Sequence, residues 1–235
     1  LSSGRLPCHT RTDGFETTSS ERSIMNTRLA PAPKKARCVP RLTRRPVLER
    51  LERRDLLSAD PSMAWSTYLG GDSEDFGYFA TVDHAGNLWA TGYTRGGFPT
   101  PDGFQHNSNG GMDVFVAQLG PTGQLAWSTL LGGSSDEIGN GIAVDREGSV
   151  FITGYTHSTN FPTTANAYAP VSNGSKDAFV AKITADGTLA WSTFLGGSGS
   201  DQALKLTIDS VGNCVVVGST ASSSFPTTDD AADPT

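Results

Sequence analysis

The feature that most constrains this chain is a long internal repeat. WSTYLGG at 65–71 returns as WSTLLGG at 127–133 and as WSTFLGG at 191–197. TVDHAGNLWATGYT at 81–94 returns as AVDREGSVFITGYT at 143–156 and, more loosely, as TIDSVGNCVVVGST at 207–220. DVFVAQL at 113–119 returns as DAFVAKI at 177–183, and FPT stands at 98–100, 161–163 and 225–227. Trp65, Trp127 and Trp191 are 62 and 64 residues apart. A period of this length means supersecondary units that cannot bury their apolar faces alone and must stack.

The spacing separates rigid parts from loops. Leu69 to Asp83, Leu131 to Asp145 and Leu195 to Asp209 are each 14 residues. Single-residue insertions fall only on either side of FPT. Paired strands resist such insertions because a one-residue slip reverses their faces, so the segments flanking FPT are loops. Each unit reads as four short strands: one around Trp-Ser-Thr, one ending in Asp, one carrying Thr-Gly, one carrying Phe-Val-Ala. Asp-x-x-Gly at 83–86, 145–148 and 209–212 supplies turns, as do Pro121-Thr122-Gly123 and Ala185-Asp186-Gly187. No helical period appears in the body. The expected fold class is all-β, with propeller-type four-stranded blades in units near 62–123, 124–187 and 188–235.

These motifs, in one order and three times over, resemble the seven-bladed beta-propeller (SBBP) repeat of bacterial surface and secreted proteins. The resemblance covers residues 62–230. It implies a propeller in an extracellular or cell-surface setting, and it does not imply an enzyme. Trp65, Trp127, Trp191, Phe115 and Phe179 are the expected repeat core. Eleven strands are counted, since no Phe-Val-Ala strand precedes Trp65 and none follows Phe225. An incomplete propeller is expected, whose remaining blades lie in a longer chain or in a second copy.

Charge divides the chain. Residues 1–59 hold 13 Lys/Arg against 6 Asp/Glu, and residues 60–235 hold 5 against 18. The acidic body argues against a nucleic-acid partner, because phosphates would be repelled. Residues 1–24 are patternless, and translation from Met25 is expected. Residues 25–59 carry ten Lys/Arg against three acids, which reads as a disordered basic arm. Within it Pro46 opens a short helix with Val47, Leu48 and Leu51 on one face. The stretch RPVLERLERRDLLSAD is similar to the LEPR-XLL segment of large bacterial surface and secreted proteins, with Glu52-Arg53-Arg54 where the family has Glu-Pro-Arg. That resemblance implies a targeting or processing segment at 25–60. No apolar run is long enough for a membrane-spanning helix. Cys8, Cys38 and Cys214 form no disulfide framework and no metal spacing. Cys214 aligns with Leu88 and Val150, which reads as a small buried hydrophobe.

The candidate chemistry is sparse. LGGSGSDQA at 195–203 fits the opening of the nonapeptide calcium repeat. Its aligned copies LGGDSEDFG and LGGSSDEIG lack the third glycine, and the period is not nine. What recurs is an acid after Gly-Gly: Asp75, Glu137 and Asp201. They are candidates for a calcium rim, or acids that cap a polar turn. Asp83, Asp145 and Asp209 read as structural turn residues. His84, His106 and His157 do not align, and His9 lies in the leader. Ser66, Ser128 and Ser192 are strand residues outside any Gly-x-Ser-x-Gly elbow. Asn173-Gly174-Ser175 is a turn and a glycosylation sequon. The expected function is a non-catalytic surface or secreted binding module for a protein or glycan, without a cofactor. The alternatives are a propeller belonging to a polysaccharide-active enzyme and a calcium-stabilised adhesion module.

Overall fold

The computed structural model describes residues 24–31 and 61–232. Among them stand twelve strands and no helix: β1 (Ile24–Pro31), β2 (Pro61–Leu69), β3 (Asp75–Val82), β4 (Leu88–Thr94), β5 (Asp113–Leu119), β6 (Leu125–Leu131), β7 (Glu137–Val144), β8 (Val150–Thr156), β9 (Asp177–Ile183), β10 (Leu189–Leu195), β11 (Asp201–Ile208) and β12 (Cys214–Thr220). The helix expected after Pro46, and residues 1–23 of the leader, lie outside the described residues.

All pairing is antiparallel. β3-β4-β5-β6 and β7-β8-β9-β10 are four-stranded sheets, while β1-β2 and β11-β12 are two-stranded. These are propeller-type blades. The Trp strand of each repeat pairs with the Phe-Val-Ala strand before it, β6 with β5 and β10 with β9. Each full sheet therefore takes three strands from one repeat and the Trp strand of the next. β1 falls inside the segment read from sequence as leader and basic arm. It pairs with β2 from Ile24↔Leu69 to Pro31↔Pro61. The physical reason is an edge: without a Phe-Val-Ala neighbour, β2 would present a row of unpaired N–H and C=O groups, and an extended segment satisfies them.

The sheets stack face to face. β7 packs against β3 and β4 on one side and against β11 on the other. Backbone hydrogen bonds tie the entry of each Phe-Val-Ala strand to the following sheet: Glu137 N–H to Met112 O at 2.8 Å with Gly111 N–H to Ser135 O at 3.1 Å, and Asp201 N–H to Lys176 O at 2.8 Å. Phe115 and Phe179 are fully buried. The FPT phenylalanines pack on them, Phe98 stacked on Phe115 at 4.5 Å and Phe161 tilted against Phe179 at 4.6 Å. The FPT segments are thus loops that plug the core from the side. Trp65, Trp127 and Trp191, expected inside the core, are half-buried at its margin.

Their margin position has a cause. A Cβ on Gly123 would fall 2.7 Å from the Trp65 ring, and one on Gly187 would fall 2.7 Å from Trp127. Each indole lies across the hairpin-turn glycine of the following sheet. Both glycines have positive φ, 88° and 83°, so the same residue satisfies the turn and leaves room for the ring.

Candidate functional site

The Gly-Gly acids open the strands β3, β7 and β11, and all three are buried. Each carboxylate accepts the N–H of the second glycine of its own turn: Gly71 to Asp75 at 2.6 Å, Gly133 to Glu137 at 2.6 Å, Gly197 to Asp201 at 2.8 Å. A threonine at the end of the paired strand adds a hydroxyl donor, Thr156 to Glu137 at 2.6 Å and Thr220 to Asp201 at 2.5 Å. Ser222 donates to Asp201 at 2.7 Å and in turn accepts the Gly199 N–H at 2.7 Å. In the first unit the Thr94 hydroxyl turns to Gly96 O at 3.4 Å instead, and Asp75 Oδ1 is left buried without a donor. The three acids sit in three separate sheets. Among the described residues no three His, Cys, Asp or Glu side chains gather as a metal-holding set.

The neighbours of these acids are two aspartates that the sequence shows only as the first residues of DVFVAQL and DAFVAKI. Asp113 and Asp177 open β5 and β9, both buried. Asp113 accepts from the Ser108 hydroxyl and from the Asn109 N–H at 3.2 Å; Asp177 accepts from Ser172 at 2.6 Å and from the Gly174 N–H at 3.1 Å. Each closes the loop before its strand. Burial pushes the Glu137 carboxyl above the usual range, against the hydrogen bonds of Ser158, Thr156 and Gly133, and the Asp113 charge pushes the same way.

Asp83, Asp145 and Asp209 occupy the start of the tight turn between the Asp-ending and Thr-Gly strands. Asp83 Oδ1 accepts the N–H groups of Ala85 and Asn87, both at 2.9 Å, and its Oδ2 accepts Trp89 Nε1–H at 3.0 Å. Asp145 accepts from Glu147 and Ser149 and pairs with Lys182 at 3.2 Å. Asp209 accepts from Val211 at 2.9 Å and Asn213 at 2.8 Å. Burial pushes Asp83 up, but the donors Trp89, Asn87 and Ala85 outweigh it and hold the carboxyl below the usual range. Gly86, Gly148 and Gly212 complete the turns at φ 82°, 84° and 91°.

Exposed side chains cluster where the ladder breaks. β3, β7 and β11 each carry a bulge at the same place, between Gly77 and Phe79, between Gly139 and Gly141, and between Ala203 and Lys205. A bulge adds one residue and re-aims its side chain. The bulged residues are Tyr78, Asn140 and Leu204. Tyr78 is 48% exposed and its neighbour Phe76 is 49% exposed. Phe76 stacks on the buried Tyr93 at 5.8 Å with planes 9° apart, and Tyr78 lies 5.7 Å from Phe76. The Tyr93 hydroxyl donates to Glu74, which also pairs with Arg95 at 3.0 Å. Burial and the Glu74 acceptor push the Tyr93 phenol up to about 12, so it stays protonated as a donor. The aligned residues in the other units are Ile138, Asn140 and Tyr155, and Gln202, Leu204 and Ser219. The aromatic trio belongs to the first unit alone. In the second unit Lys176 Nζ stands 4.7 Å over the Tyr155 ring.

The remaining candidates are scattered. His106 bonds Thr100, and His157 bonds the Ser175 carbonyl at 2.8 Å. The Ser128 hydroxyl donates to Pro99 O at 2.5 Å, inside the sheet edge. Cys214 is half-buried and unpaired, and burial pushes its thiol up. Cys8 and Cys38 lie outside the described residues. Among the described residues no helix is long and apolar enough to cross a membrane.

The chain is similar to known repeat proteins. Residues 126–162 match the family model of the SBBP beta-propeller repeat. The chain is also similar to an uncharacterized WD repeat-containing protein of Acanthamoeba polyphaga mimivirus, 28% identical over 152 residues, which is 58% of this chain and 11% of the relative. The chain thus spans a small part of that relative's length. Four-stranded antiparallel blades, the repeat match and the WD-repeat relative together support placing this chain in a beta-propeller repeat family.

Proposed function

We propose that this chain is a non-catalytic propeller module that binds a neutral glycan on the Phe76–Tyr78–Tyr93 surface, at a cell surface or in a secreted protein. The observation that carries the reading is the aromatic trio at the first bulge. It breaks a repeat whose framework is otherwise kept, and it leaves two rings about half exposed. Such rings offer flat apolar faces to the C–H face of a sugar, and they give contact area at low entropy cost. Glu74 and Arg95 beside them offer an acceptor and a donor for hydroxyls. The acidic body disfavours anionic sugars. The extracellular setting rests on the repeat resemblance and on the basic segment at 25–60.

Calorimetric titration of the full chain with neutral cello- and manno-oligosaccharides tests it. Phe76→Ala and Tyr78→Ala are each expected to weaken binding about tenfold, equivalent to ~1.4 kcal/mol. Unchanged affinity in the double variant, or no binding by the native chain, sinks the glycan assignment. Cleavage of the oligosaccharide by the native chain would move the reading to the polysaccharide-active alternative.

A further inference from the structure

The junctions between sheets hold pairs of buried carboxylates with no cation paired to them among the described residues. A methyl carbon built on Gly132 would fall 1.9 Å from Asp113 Oδ1 and 2.7 Å from Glu137 Oε2, so the two oxygens converge on one spot. Asp113 comes from β5 of one sheet and Glu137 from β7 of the next, and neither is exposed. The arrangement recurs at Gly196, where the same construction meets Asp201 Oδ2 at 2.6 Å and Asp177 Oδ1 at 2.8 Å. Asp113 Oδ1 is buried and has no hydrogen-bond donor. Two like charges this close, away from water, cannot both persist. A buried acceptor without a donor is costly in itself. One added proton removes both problems.

We propose that Asp113 and Glu137 share one proton, carried by Glu137 and donated to Asp113 Oδ1, which makes the junction between these two sheets a pH-sensitive clamp. The other groups on the packed elements leave the pair alone. Asp136, on the same turn, lies against Gly111. His157, at the end of β8, is exposed and bonds Ser175 O. Tyr155 sits under the Lys176 ammonium, and that ammonium also bonds Gln202 at 3.2 Å. Gly133 and Thr156 supply neutral donors only. The upward push on Glu137 from burial agrees in direction. Because the folded state holds a proton that the unfolded state releases, the clamp is intact in acid. Its contribution is lost as pH rises from the ordinary glutamate range through the folded value.

Thermal unfolding of the full chain, with E137Q and D113N beside it, tests the proposal. Asn keeps the shape of Asp and puts an uncharged N–H donor at the Oδ1 position, while its oxygen still accepts from Ser108 and Asn109. D113N is expected to melt about 2–4 °C above the native chain near pH 8 and level with it near pH 5. E137Q removes the like charge but sets an amide N–H against the Gly133 N–H donor, so it is expected to flatten the native pH slope at a lower melting temperature. Parallel melting curves for the native chain and D113N across this range would overturn the proposal. Infrared spectroscopy reads the proton without relying on variant stability. The native chain near neutral pH should show protonated-carboxyl absorption that is weaker in E137Q, the remainder belonging to the Asp177–Asp201 pair; equal absorption in the two, or none in the native chain, also overturns it.

Discussion

β8 and β12 occupy the same place in the repeat and have very different surroundings. VFITGYT in β8 is buried almost end to end, while CVVVGST in β12 is half-buried at best. Both are rich in β-branched residues and both form strands. The difference lies in the neighbours. β8 has β7 and β9 beside it in the sheet, and its sheet packs on others. Among the described residues β12 pairs with β11 alone. Local sequence makes the strand, and the stacking of sheets makes the core.

The sharpest way to break this comparison is to truncate one apolar side chain in each region. Phe179→Ala should cost about 3–5 kcal/mol in urea unfolding, because the site is closed on all sides by Phe161, Gly154 and the sheet. Val217→Ala on exposed β12 should cost less than about 0.5 kcal/mol. Phe179 lies in β9, the strand beside β8, so equal costs would mean that β12 is covered as deeply as the sheet that holds β8.

Glycine turns sharpen it next. Gly187→Ala puts a methyl into Trp127 as well as into a positive-φ conformation, whereas a Cβ on Gly212 meets nothing within 4 Å. The first should cost about 2–3 kcal/mol and the second about 1 kcal/mol. Similar melting temperatures for the two variants would show that the tryptophan moves aside freely.

Acid stability follows. The Asp83 carboxyl lies below its ordinary range because its hydrogen-bond donors outweigh burial, and Asp209 does so chiefly through the Asn213 N–H. A depressed carboxyl stabilises the fold above its unfolded value, and that stability is lost as pH falls through the folded value. Melting below about pH 4 should therefore drop in the native chain and flatten in Asp83→Asn. The smallest effect concerns calcium. Asp75, Glu137 and Asp201 already accept glycine N–H groups, so millimolar calcium should leave the melting temperature within about 1 °C of its metal-free value. A clear rise would restore the adhesion-module reading.

Much of the fold was legible because its signals are local. Asp-x-x-Gly names its own turn, since the aspartate bonds N–H groups two and four residues on. Alternating aromatic and β-branched residues name the strands. The aromatic site was less so. Phe76 and Tyr78 differ visibly from Ile138 and Asn140, but the bulge that turns Tyr78 outward depends on how β3 meets β4. The phenylalanine of FPT recurred in plain sight, and only the packed structure seats it on Phe115 and Phe179.

The sequence by itself determined the repeat, its strands and its turns, because those depend on contacts a few residues apart. Tertiary structure alone decided that Asp113 meets Glu137 and that Trp127 covers Gly187. It also decided that residues 24–31 pair with β2. Each of these joins segments from different sheets or distant parts of the chain. Their energies come from burial and from charge in a water-poor junction, which exists only once the sheets have stacked.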